Sequence, residues 1–164
     1  MTTVFPTTCD FTLIKRNDIG KAYAYVFLYS MSQPVTTQIV NPGSSIKFNN
    51  HGRLASIAWL NSDELTMLKD GLFEIEFSIN YQLNNKNVQV ELYINGTGVG
   101  VAFGSDNGNS FNYGNSGIGK INGKYNLRLY KNDKLKLVGK SNQFIIKPAG
   151  FGSEIISYIT VNEI

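Results

Sequence analysis

The stretch Asp70–Phe103, DGLFEIEFSINYQLNNKNVQVELYINGTGVGVAF, decides the fold. Phe73, Ile75, Phe77, Ile79 and Tyr81 take alternate positions, with Glu74, Glu76, Ser78 and Asn80 between them. Successive side chains of a strand point to opposite faces, so this spacing predicts an extended strand with one packed side and one wet side. After the polar break Asn84–Asn87, the residues Val88, Val90, Leu92 and Ile94 repeat the alternation. Asn95-Gly96 follows, the pair that accepts positive φ in a two-residue hairpin.

Outward from this pair the same signs recur. Ala22–Tyr29, AYAYVFLY, is apolar on both faces, which predicts a strand covered on both sides, by the second sheet and by a loop or another subunit. Asn41-Pro42-Gly43 reads as a turn, and Ile46 and Phe48 as a short strand ending in a turn at Asn49-Asn50-His51-Gly52. Further strands are predicted at Arg53–Leu60, Gly98–Phe103, Gly123–Tyr130, Lys134–Val138, Gln143–Lys147 and Glu154–Asn162. Asn61–Lys69 carries a helix signature, with Asn61 as N-cap and Glu64 three residues on. Leu65 and Met67 nevertheless alternate with Thr66 and Leu68 and lead into the Phe73 strand, which favours an extended segment. About ten short strands in a chain of this size predict an all-β, two-sheet antiparallel jelly-roll sandwich.

The 164 residues, 42% of them hydrophobic, suit one domain with a real core. Residues 1–21 read as an N-terminal segment and 22–164 as the jelly-roll domain. Cys9 is the only cysteine, which excludes an intramolecular disulfide. Met1–Asp18 lacks the features of a secretory signal, and no stretch reaches the ~18 apolar residues of a membrane span, so membrane insertion is not expected. The net charge of +3 is uneven: residues 1–82 hold 6 basic against 7 acidic side chains, residues 83–164 hold 9 against 5. Lys134 and Lys136 alternate with Leu135 and Leu137, as on the solvent face of a strand. Only Tyr130 stands near to stack a base, so nucleic acid is not an expected partner.

The run from Ala22 to Ile164 resembles the tumour-necrosis-factor-like and complement-type globular heads. More narrowly it is similar to the C-terminal domain of the BclA-type collagen-like glycoproteins of the bacterial exosporium. The matching pieces are Ala24-Tyr25-Val26 with Pro34-Val35, Ile46-Lys47-Phe48-Asn49, Gly71–Phe77, Val90–Gly96 and Ser157–Val161. The resemblance implies a homotrimer of jelly rolls around an axis lined by aromatic and aliphatic side chains. Nine tyrosines and ten phenylalanines agree with an aromatic interface, and Tyr23, Tyr25, Tyr81 and Tyr158 are the candidates for it. No Gly-X-Y stalk and no exosporium-targeting leader is visible in Met1–Lys21, so the resemblance speaks to the fold more than to the cellular address.

Catalytic chemistry is thin. His51 is the only histidine and sits in a turn-like context, Cys9 has no flanking signature, and no histidine or cysteine cluster suggests a metal. Neither an enzyme nor a cofactor is expected. The loop Gly104–Gly119, GSDNGNSFNYGNSGIG, sets Phe111 and Tyr113 among small polar residues, and Asp106 and Asn109 add hydrogen-bonding groups. These four are the candidate binding-loop residues. Asn95-Gly96-Thr97 also fits the glycosylation pattern, though its place in a hairpin favours turn chemistry. The expected function is a trimeric structural or adhesive head on a spore or other extracellular bacterial surface, with itself as first partner. The alternative is a receptor- or carbohydrate-binding tip, for instance on a phage tail fibre, that holds glycan or protein through the 104–119 loop or grooves between subunits.

Overall fold

The computed structural model describes residues 20–83, 87–104, 117–150 and 152–164. Its strands are β1 (Tyr23–Ser30), β2 (Gln38–Val40), β3 (Asn50–Ala55), β4 (Ile57–Asn61), β5 (Glu64–Met67) and β6 (Gly71–Gln82). They continue as β7 (Gln89–Ile94), β8 (Thr97–Phe103), β9 (Ile118–Leu129), β10 (Lys134–Gly139), β11 (Phe144–Ile146) and β12 (Glu154–Glu163).

Two antiparallel sheets result. The first runs β2-β11-β6-β12-β1-β3, with β9 paired along the whole of β6, and the second runs β4-β5-β10-β7-β8. The alternation in Asp70–Phe103 now has a physical meaning. Phe73, Ile75, Phe77, Ile79 and Tyr81 of β6 are fully buried and face Leu65, Met67, Val90, Leu92, Leu135 and Leu137 of the second sheet. Asn95 (φ 52°) and Gly96 (φ 82°) both take the left-handed backbone that the β7–β8 hairpin requires. The Asn95 side chain is committed to that corner, accepting from the Lys134 N–H at 3.0 Å and donating to Asp133 at 2.7 Å.

Three expectations change. Arg53–Leu60 is two strands, because Ser56 turns into the left-handed region (φ 53°) and passes the chain from the first sheet to the second. Asn50–Gly52 belongs to β3 rather than to a turn, while Ile46 and Phe48 are buried outside any strand. The outward side of β6 is not simply wet: Glu74, Glu76 and Ser78 are half-buried and Asn80 is buried. Side chains of β9 and β12 flank it, as Lys124 with Glu74 and Tyr158 with Glu76 show. Asn61–Lys69 is extended, as its alternation predicts, and forms the β4–β5 hairpin.

Candidate functional site

Strand β1 buries Ala24, Val26 and Leu28 in the sandwich and so turns Tyr23, Tyr25, Phe27 and Tyr29 to the opposite side, all half-buried. Its neighbour β12 sets Thr160 opposite Tyr25 and Tyr158 opposite Phe27; beyond a bulge, Ile155, 40% exposed, lies opposite Tyr29. The rings touch. Tyr25 and Phe27 have centroids 5.0 Å apart, Tyr25 meets Tyr158 edge-on at 6.0 Å, and the Arg53 guanidinium lies 5.2 Å from the Tyr23 centroid. The outward surface of the first sheet thus carries an aromatic row with an aliphatic flank.

Next to this row stands a polar strip. The Tyr158 hydroxyl donates to Glu76 Oε1 at 3.2 Å, and the Thr160 hydroxyl donates to the Glu76 backbone carbonyl at 3.4 Å. Burial pushes the Tyr158 hydroxyl above its ordinary pKa, and the charge of Glu76 adds to the shift. Lys124 pairs with Glu74 at 3.0 Å, and the hydrogen bond to that carboxylate raises the Lys124 pKa.

A second apolar surface lies on the other sheet. Edge strand β8 turns Gly100 and Ala102 inward and leaves Val99 (45% exposed), Val101 and Phe103 (56% exposed) outward. Residues 97–103 hold no charge, which leaves this edge without the lysines that usually blunt one.

Of the four tyrosines expected at a subunit contact, Tyr23, Tyr25 and Tyr158 share the aromatic face. Tyr81 does not: it is fully buried inside the subunit, with its ring against Gly104 and Gly119 and edge-on to Phe144 at 6.1 Å. Its place on the inward register of β6 removes it from any outer surface. Phe27 and Tyr29 join the face instead, and the doubly apolar run AYAYVFLY carried that signal. Asp106, Asn109, Phe111, Tyr113 and Cys9 lie outside the described residues.

Many of the remaining charged groups pair with one another, while the buried Tyr23 hydroxyl, Trp59 indole N–H and Ser157 hydroxyl have no hydrogen-bond partner among the described residues. Lys134 and Lys136 pair with Glu64 at 3.2 and 3.3 Å, and Lys140 with Glu91 at 3.1 Å, which cancels the basic strip. Burial works against the Asp63 carboxylate, yet a hydrogen bond from Ser45 and the charge of Lys136 hold its pKa below the usual range. A recess between Phe48, Trp59, Asp63 and Lys136 offers about 10 Å³, room for one water. Among the described residues no three His, Cys, Asp or Glu side chains converge on a metal position, and no helix is long and apolar enough to cross a membrane.

Among solved structures, the chain is similar to the Eiger TNF of S. frugiperda, with a TM-score of 0.69 over 88% of this chain and 93% of that one, at 10% identity. In fold, it is a TNF-like jelly roll. The globular domain of zebrafish complement 1qA aligns with a TM-score of 0.55 over 87% of this chain and 94% of its own, at 14% identity. Murine APRIL aligns with a TM-score of 0.53 over 88% and 99%, at 4% identity. No protein-family model and no curated protein matches the chain. Identities this low establish the TNF-like fold alone.

Proposed function

We propose that this chain is a non-catalytic, self-assembling head, a homotrimer joined through the aromatic face of its first sheet. The observation that carries the reading is the row Tyr23, Tyr25, Phe27 and Tyr29 beside Tyr158, on the side of the sheet turned away from the core. Contiguous apolar surface of this kind marks interaction sites, and aromatic side chains supply interface energy at small entropic cost. The molecule carries two unlike apolar surfaces, this face and the β8 edge. Unlike patches make a heterologous contact, which forms a ring when the rotation closes. The number three comes from the resemblance to TNF-like and complement-type heads.

The cellular role follows from the narrower resemblance. The pieces shared with BclA-type heads, among them Gly71–Phe77, Val90–Gly96 and Ser157–Val161, support a head on a spore surface or another extracellular bacterial layer. Its work there is assembly, durability and contact with neighbouring surfaces. An obligate interface of over ~2,000 Å² would couple folding to association and protect the subunits from proteases.

Light scattering coupled to gel filtration at micromolar concentration tests the assembly. The expected mass is three times the 18.2 kDa subunit, and a clean monomer overturns the reading. Recovery in an insoluble spore layer checks the cellular role.

A further inference from the structure

We propose that Glu76 makes the self-association of the aromatic face pH-sensitive, with acid strengthening it. This rests on the reading of that face as a subunit interface. Glu76 is half-buried on the outward side of β6, where its carboxylate accepts from the Tyr158 hydroxyl at 3.2 Å. Tyr158 is itself in edge contact with Tyr25, so the carboxylate stands at the border of the aromatic row. The groups around it are few. From β12 it meets Tyr158, behind which stands Tyr25 of β1; from β9 it faces Lys124; on its own strand the next acid is Glu74. Lys124 is hydrogen-bonded to Glu74 at 3.0 Å and acts on Glu76 through its charge alone, so the hydrogen-bond partner of the Glu76 carboxylate is a tyrosine hydroxyl.

A second copy on this face removes the water that solvates Glu76. Desolvation disfavours the charged form, so the covered state takes up protons that the free subunit leaves in solution. By linkage, the state that binds more protons gains as pH falls. The sign is diagnostic. The chain already carries +3, and acid adds positive charge, so generic repulsion between subunits predicts weaker association in acid.

The test is the concentration dependence of mass for the full chain and for Glu76→Gln between about pH 8 and about pH 5. The full chain is expected to associate about tenfold more tightly at the lower pH, whereas Glu76→Gln associates tightly at both. Glu64→Gln, on β5 of the second sheet and away from this face, serves as a control that keeps the response. A full chain whose association is unchanged or weaker in acid overturns the inference, as does a Glu76→Gln variant that keeps the full response. In either case, assembly at both values leaves the interface itself standing. A full chain and variants that stay monomeric at every pH and concentration overturn the interface reading and this inference with it.

Discussion

Gly123 on β9 is the register partner of Phe77 on β6, and the Phe77 ring lies where a Cβ on Gly123 would have to go. Phe77 in turn stacks on Tyr125 at 6.2 Å, and Tyr125 closes against Gly100 of β8. These glycines let aromatic rings fill the side of the sandwich where the two sheets approach through β8 and β9. Gly123→Ala forces a buried ring to shift and is expected to lower stability by about 1–3 kcal/mol, read as a lower urea midpoint. Gly152→Ala, with nothing within 4 Å of the added carbon, is expected to stay within about 0.5 kcal/mol of the parent. Equal midpoints for the two variants would refute the packing role of Gly123. None of this was legible in the sequence. The sequence sets Gly123 at the start of a predicted strand, but the need for a bare Cα there stays hidden until the facing ring is known, and that ring comes from a residue more than forty positions away.

At the scale of elements, legibility followed the length of the alternation. β6 and β7 announced themselves because four or five apolar residues recur with period two. β11 falls within the predicted strand Gln143–Lys147, but β2, at three residues, contains too little of a period to read, and it exists because it pairs with β11 beside the end of β6. The break at Ser56 was also hidden, since Ser-Ile-Ala-Trp carries none of the glycine, proline or asparagine that usually marks a corner. The backbone at Ser56 is held from outside, by the Leu68 N–H donating to its carbonyl at 3.0 Å. Another tie between elements makes a pH prediction. The Glu163 carboxylate at the end of β12 accepts from Lys69 at 2.8 Å and from the Ala22 N–H just before β1 at 2.7 Å. The Lys69 hydrogen bond, helped by that N–H, lowers the Glu163 pKa. A carboxyl depressed in the folded state adds stability above the ordinary carboxylate range and loses it as pH falls through the folded value. Glu163→Gln is therefore expected to melt a few degrees lower than the parent near neutral pH and to converge with it at about pH 3. A gap of the same size at both values would refute the ionic origin.

At the scale of the whole molecule, the two apolar surfaces lie on different sheets: the aromatic row on the outward side of the first, and Val99, Val101 and Phe103 at the edge of the second. The sequence showed the aromatic excess and the doubly apolar β1, but which tyrosines reach the outside depended on register. Tyr81 continues the inward period of β6, whereas Tyr158 lies between Ser157 and Ile159, both of which β12 buries, and so is sent outward. If a ring forms by face meeting edge, each subunit uses one of each, and damage to either surface dissolves the ring without spoiling the other. Phe27→Arg spoils the face and Phe103→Asp spoils the edge. Each variant alone is expected to run as a monomer by light scattering while keeping the parent's circular dichroism. Mixed in equal amounts, they are expected to form a species of twice the subunit mass, because the intact face of the edge variant meets the intact edge of the face variant. Contact of face with face would give the opposite pattern: Phe103→Asp would stay assembled alone, and mixing would rescue nothing.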